Sequence, residues 1–212
     1  MIPAQPALSG IAATGTDPGL KSGLDPHADT AFTPEETTAL EQARNKLLQA
    51  GWQTVTAAVV VLGTYQRLYC LEQNGLIRHW PVSTGRAGFG NQIDSGRTPT
   101  GLHRICACIG EGQPLGAVFK GRVPTGEIAP ETVVDGRDAI TTRILWLDGL
   151  EEGVNRGPGI DTKTRFIYIH GTSHANLLGQ PASAGCVRMK NEHVLDLFQR
   201  VANNTLVLIV PA

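Results

Sequence analysis

This chain carries no excess of positive or negative charge. Its 212 residues carry 18 Lys and Arg against 19 Asp and Glu, a formal net charge of -1 with a pI near 6.6. No basic cluster interleaves with aromatic residues. That balance excludes an electrostatic nucleic-acid surface, so no nucleic-acid partner is expected. Long hydrophobic runs are missing as well. The longest, residues 57–62, is far too short to cross a bilayer, and no membrane insertion is expected. A secretory signal needs an early positive region and an apolar core of about 7–15 residues. Here the first basic residue is Lys21, and the first thirty residues are mostly Ala, Gly, Pro, Thr and Asp. Read as a native start, this stretch places the protein in the cytoplasm, with residues 1–32 as a flexible tail. Cysteine is scarce. Cys70, Cys106, Cys108 and Cys186 are the full set, which suits a reducing compartment. Cys70, Cys106 and Cys108 are expected to be free core thiols, the last two poorly placed to bridge each other or share a metal. A disulfide from Cys70 to either is the alternative in an oxidising compartment. No internal repeat is present.

What is there begins at Thr33. Thr33-Pro34-Glu35-Glu36 is a capping box with proline at the first helical position. The helix it opens should end near Ala50, with Gly51 stopping it. From residue 54 to 109 short β-branched runs alternate with turns, notably Gln73-Asn74-Gly75, a hairpin signal. Residues 110–160 are rich in Gly and Pro and read as long loops framing a site, with strands near 118–119 and 143–147. Asn191 is expected to cap a short amphipathic helix in which Val194, Leu197, Phe198 and Val201 share a face. Residues 206–210 read as a buried final strand.

The chemistry-bearing stretch is YIHGTSHANLLGQPASAGCVRM, from Tyr168 to Met189. His170 ends an apolar β-like run, and Cys186 follows sixteen residues later behind Ser183-Ala184-Gly185. A His and a Cys at the ends of adjacent strands can form a base–nucleophile pair for acyl transfer through a thioester. A free thiol has a pKa of about 8.5, so the imidazole is needed to take its proton. The imidazole in turn needs a partner on its other nitrogen. Ser183, by its hydroxyl or carbonyl, and the backbone at Gly171-Thr172 are the candidates. The N–H groups of Ala184, Gly185 and Cys186 could converge on a developing oxyanion, each such donor being worth on the order of 3 kcal/mol in the transition state. Arg188 should point to the same face as Cys186 if the chain is extended. It suits a substrate carboxylate, or a structural tie for the loop. Trp146 and Leu147 are candidates for a substrate wall or for the core. His170, His174 and Cys186 could supply three zinc ligands, but Gly171-Thr172-Ser173 makes a poor helix and does not set both imidazoles on one face. No metal is expected, and the chemistry needs no cofactor.

HGT at 170–172, Gly179 and S-x-G-C-V-R-M at 183–189 resemble the signature of the L,D-transpeptidase, or YkuD-type, catalytic domain. The resemblance extends upstream through Gln66-Arg67-Leu68-Tyr69, Trp80-Pro81-Val82-Ser83-Thr84-Gly85 and Ser95-Gly96-Arg97-Thr98-Pro99-Thr100-Gly101, and spans roughly residues 55–210. It implies a mainly β fold, a β-sandwich of two sheets with a helix across it and a short N-terminal helix. The domain order becomes a tail over 1–32, a helix over 33–51 and a catalytic domain over 52–212. It implies Cys186 as nucleophile and His170 as general base, with Ser183, Gly185 and Arg188 in the signature loop. Thr98-Pro99-Thr100-Gly101 takes a structural role. The implied partner is a peptidoglycan stem tetrapeptide or muropeptide, cut between the L-centre of its third residue and the terminal D-alanine. Carbapenem sensitivity is implied with it.

One position departs from the family pattern: Ala184 stands where a second histidine is usual. That puts acceptor handling in question more than acylation. Together with a cytoplasmic start, it tilts the expectation toward hydrolysis, an L,D-carboxypeptidase activity in muropeptide recycling, over 3→3 cross-linking. Family members that cross-link work outside the inner membrane, and a trimmed N-terminus would return this chain to the periplasm. Two other classes stand beside this reading. A papain-like cell-wall peptidase usually has its cysteine before its histidine, opposite to the order here. A silent peptidoglycan-binding module would have lost the nucleophile or the base, and both are present.

Overall fold

A computed structural model describes residues 32–54, 56–72, 75–130, 132 and 139–211. The elements run α1 (Pro34–Gln49), β1 (Ala58–Leu62), β2 (Arg67–Leu71), β3 (Ile77–Ser83), β4 (Gly101–Ile109), β5 (Ala117–Lys120), β6 (Val123–Ile128), β7 (Ile140–Gly149), β8 (Tyr168–Thr172), β9 (Val187–Met189), α2 (Asn191–Phe198) and β10 (Leu206–Val210). Residues 1–31, where the N-terminal tail is expected, lie outside the described residues, as do Gln73 and Asn74 of the hairpin turn. The hairpin itself is present, with β2 and β3 pairing antiparallel from Arg67↔Pro81 to Leu71↔Ile77.

The strands form one sheet in the order β4-β10-β1-β2-β3-β9-β8-β7-β5-β6, and β4 also pairs with β7. That last pairing closes eight strands into a ring, from which the β5–β6 hairpin hangs on β7. The expected sandwich of two separate sheets is therefore corrected to a closed, barrel-like sheet. The bend lies in β4, where the register against β7 shifts between Ile105 and Ala107. Such a bulge curls a strand, and here it lets β4 reach β10 on one side and β7 on the other. The interior takes one set of alternating residues, including Val59, Val61, Leu68, Leu145, Ile169 and Val187, and α2 adds Val194 and Leu197 to the same cluster. The opposite face of β1, β2 and β10 is covered by Leu40, Ala43 and Leu47 of α1. This double cover explains why β1 is buried at every residue. The β6 edge is exposed throughout and carries Pro124, a residue tolerated where no ladder donor is needed.

Helix α1 starts as the capping box dictates. Thr33 accepts from the Glu36 amide at 3.1 Å, and Pro34 opens the first turn. The Glu36 carboxylate is buried and takes hydrogen bonds from Tyr69 and from Arg67 Nη1. Burial opposes its charge, but these two donors outweigh it and hold the carboxyl below the usual range. Asn191, expected as the α2 cap, is instead its first residue after Lys190. Its Oδ1 accepts from Thr141 and Thr142 at 2.6 and 2.7 Å. Of the three expected core thiols, Cys70 lies in the interior cluster with its pKa pushed up to about 12 by burial. Cys108 packs on that cluster, but Cys106, at the bulge, is half-buried and belongs to none of the three buried clusters.

His103 sits fully buried in a polar knot, with Nδ1 3.0 Å from Gly101 O and Nε2 3.1 Å from Thr162 Oγ1. Burial pushes its pKa down to about 4, from an ordinary 6.5. The sign is then fixed: as pH falls below 6.5 the unfolded chain takes up this proton first, and the folded state loses ground until about pH 4. Over that window the loss is on the order of 3 kcal/mol. Urea midpoints at pH 7, 5.5 and 4 should therefore fall for the wild-type protein and change less for His103→Gln. Parallel pH profiles for the two proteins would refute this role.

Candidate active site

The loop before Cys186 is stitched to two other segments. Thr98, buried inside the Thr98-Pro99-Thr100-Gly101 stretch, accepts from the Gly85 amide at 2.7 Å and donates to the Gly185 carbonyl at 2.9 Å. Ser183 Oγ accepts from the Gly185 amide at 3.0 Å and donates to the Cys186 carbonyl at 2.5 Å. Gly185 holds φ of +124°, and a Cβ there would stand 3.1 Å from Arg97 O. The glycine is needed for that turn. These contacts spend the Ser183 hydroxyl and the Gly185 amide within the loop, and the Ser183 carbonyl accepts from the Arg86 amide at 2.9 Å. Ala184 stands exposed at the turn.

β8 and β9 run parallel, with Ile169↔Val187 and His170↔Arg188 in register. Ile169 and Val187 point into the ring, so Tyr168, His170, Cys186 and Arg188 share its outer face. The Tyr168 amide lies 3.4 Å from Cys186 Sγ, and Phe166 O lies 3.7 Å from it. His170 is buried, with Nδ1 2.7 Å from Gly171 O. Two acceptors would repel at that distance, so Nδ1 carries the hydrogen and Nε2 is the basic nitrogen. Of the candidate orienting groups, the Gly171 carbonyl contacts the ring at Nδ1. Thr172 Oγ1 accepts from the His174 amide at 3.0 Å instead. Gly171 is hemmed in: a Cβ there would collide with Asn191 Oδ1 and stand 2.7 Å from Thr141 O. Arg188 is only 4% exposed, between β8 and β3. Among the described residues no three His, Cys, Asp or Glu side chains are grouped to hold a metal ion.

Sequence reasoning missed two cations here. Arg165 donates to Arg97 O at 2.6 Å and to Gly90 O at 3.2 Å. Burial lowers its pKa, while the nearby Cys186 and Asp94 oppose that fall. A positive charge so placed favours an anionic sulfur. Arg122 is the other, at the tip of the β5–β6 hairpin, donating to Tyr168 Oη at 2.9 Å. Its guanidinium carbon is 4.4 Å from the Trp146 ring centroid and 5.1 Å from that of Phe166. Trp146, half-buried on the same outer face, thus belongs to an aromatic wall with Phe166 and Tyr168 beside the thiol. Beyond the wall lies a groove of about 520 Å³, with Arg104, Arg156 and Lys163 set against Asp148 and Asp161. Neither arginine announces itself in sequence, because both act through long-range contacts.

The fold and site define a class: a closed β ring with a histidine on one strand and a cysteine just ahead of the parallel strand beside it, both on the outer face. Residues 56–209 match the profile of the L,D-transpeptidase catalytic domain, YkuD, and the chain belongs to that family. Among curated relatives, YkuD of Bacillus licheniformis, named as a candidate L,D-transpeptidase, is 46% identical over 43 residues. That match spans 20% of this chain and 26% of the relative's length. Two solved structures resemble the fold distantly. L,D-transpeptidase 3 from Mycobacterium tuberculosis, bearing a faropenem-derived adduct, has a TM-score of 0.46 at 15% identity, covering 73% of this chain and 60% of its own. LdtMt1 in complex with imipenem gives 0.44 at 15%, covering 73% and 59%. Likeness at this distance assigns no residue a role.

Proposed function

We propose that this chain cleaves peptidoglycan stem tetrapeptides by cysteine acyl transfer, releasing the terminal D-alanine. One observation carries the reading: His170 and Cys186 share one outer face, with His170 Nδ1 fixed on Gly171 O so that Nε2 is left as the base. In this scheme Nε2 takes the Cys186 proton and the thiolate attacks the carbonyl of the third residue. The oxyanion is met by loop amides, with Ala184 and Cys186 better placed than the committed Gly185 amide. The C–N bond breaks, D-alanine leaves with the imidazolium proton, and Sγ is held in a thioester. Water, deprotonated by the same Nε2, releases the tripeptide and restores the thiol. We favour water over an amine acceptor because the exposed Ala184 offers no side chain to hold one.

Incubation with a disaccharide-tetrapeptide, with and without excess D-amino acid, separates the outcomes by mass spectrometry. Tripeptide alone is the expected product. Exchanged or dimeric products would assign cross-linking, and untouched substrate would overturn the reading. A carbapenem such as imipenem should add its full mass to Cys186, and an unmodified protein after prolonged exposure would count against a reactive thiol.

A further inference from the structure

We infer that Arg122 is a specificity-determining residue that takes a carboxylate on the side chain of the donor's third residue, an inference resting on the acyl-transfer reading above. Three observations meet at this residue. First, its backbone is costly: Gly121 and Arg122 have φ of +56° and +69°, a two-residue hairpin turn in which glycine or asparagine is the easy choice. A left-handed arginine costs roughly 1–2 kcal/mol, and such strain collects at ligand clamps. Second, the guanidinium is held flat by rings and a phenol rather than by an acid. It lies over Trp146 and Phe166 and donates to Tyr168 Oη. Among the described residues no carboxylate pairs with it. A guanidinium has five N–H donors in a planar fork, and one hydrogen bond leaves an edge able to grip a carboxylate in two places.

Third, the distance fits one carboxylate of the substrate better than another. Tyr168 spans the gap: its amide touches Cys186 Sγ at 3.4 Å, and its hydroxyl touches Arg122 at 2.9 Å. A tyrosine reaches about 6–7 Å from backbone to hydroxyl, given bonds near 1.5 Å. The far carboxylate of a diaminopimelate side chain lies about 7 Å from the carbonyl under attack, by the same bond lengths. The D-alanine carboxylate lies only two bonds past the scissile nitrogen and stays too close to the sulfur. Lys163 Nζ is 5.7 Å from the Trp146 ring and Arg165 stands near Cys186, while Asp148 and Asp161 lie in the groove beyond the wall, where Arg104 pairs with Asp148. Arg122 thus selects a dicarboxylate third residue over lysine.

The test compares two donors that differ in one group: a diaminopimelate tetrapeptide with its side-chain carboxylate free, and the same peptide with that carboxylate amidated. The wild-type protein should prefer the free acid at least tenfold in kcat/KM. Arg122→Met should bring that ratio close to one, chiefly by raising KM for the free acid, and Arg122→Lys should keep part of it. Calorimetric binding of both donors to the Cys186→Ala protein reads the same preference without turnover. If the free acid binds tighter there but the wild type cleaves neither donor, acyl transfer fails while the Arg122 assignment stands. Equal affinity for the two donors, or an Arg122→Met loss that is equal on both, would overturn the assignment and leave Arg122 a hairpin tie.

Discussion

Replacing Cys186 with alanine is expected to lower kcat/KM for tetrapeptide cleavage at least ten-thousandfold, leaving stability within about 1 kcal/mol of wild type. The asymmetry follows from how the loop is built. Its shape rests on hydrogen bonds that bypass the sulfur: Thr98 bridges Gly85 to Gly185, and Ser183 bridges Gly185 to the Cys186 carbonyl. The contacts of the sulfur to the Tyr168 amide and the Phe166 carbonyl are long, at 3.4 and 3.7 Å. Removing it should delete the nucleophile and little else. A factor of ten thousand corresponds to about 5.5 kcal/mol of transition-state stabilisation, within the range for a lost covalent catalyst. Steady-state turnover paired with a urea melt checks both halves. Turnover within tenfold of wild type would end the thioester mechanism, whatever the melt showed.

Gly171→Ala should be the most damaging single methyl near the site. The added carbon would press on Asn191 Oδ1 and on the Thr141 carbonyl, which is backbone and cannot swing aside. Asn191 is itself pinned by Thr141 and Thr142. Thr142 adds strain of its own, with φ of +64° at the point where β7 slips register against β8. With no slack on either side, β8 must shift, at a cost of about 1–3 kcal/mol for overpacking. The carbonyl that holds His170 Nδ1 belongs to Gly171 and would move with it. A displacement near 1 Å at a catalytic group costs about a hundredfold in rate. The expected result is a lowered urea midpoint together with a hundredfold loss in kcat/KM and slower alkylation of Cys186. Normal alkylation with normal turnover would show that His170 does not depend on this carbonyl.

Parts of this molecule were legible in one dimension and parts were not. The α1 start could be read because Thr33, Pro34 and Glu36 act within one turn, and the structure keeps all three in their expected places. That His170 and Cys186 lie on one face could be read because both belong to one motif, His170 on β8 and Cys186 directly before its parallel neighbour β9. Ring closure could not, since a strand in a sandwich and a strand in a barrel alternate their side chains alike, and only the β4–β7 pairing separates them. Asn191 misled for a physical reason: its side chain had the chemistry of a cap, but two threonine hydroxyls fifty residues away claimed it first. The β5–β6 hairpin was hidden by Gly121-Arg122, a turn pair without the usual asparagine or aspartate.

The division between a closed ring and a hanging hairpin has a mechanical meaning. β8, which carries His170, and β9, which Cys186 directly precedes, are each hydrogen-bonded on both sides, so neither can yield without opening the ring. β6 has a free edge, and the hairpin is held to the body through β5, by its short pairing with β7 and the burial of Ala117 and Phe119 against Ile144 and Tyr168, and by Arg122 lying on aromatic rings. On the proposed reading, reactivity and substrate choice are lodged in parts of unequal stiffness. An engineer can exchange the two-stranded appendage to redirect which peptide is accepted while the reacting sulfur stays where the ring puts it.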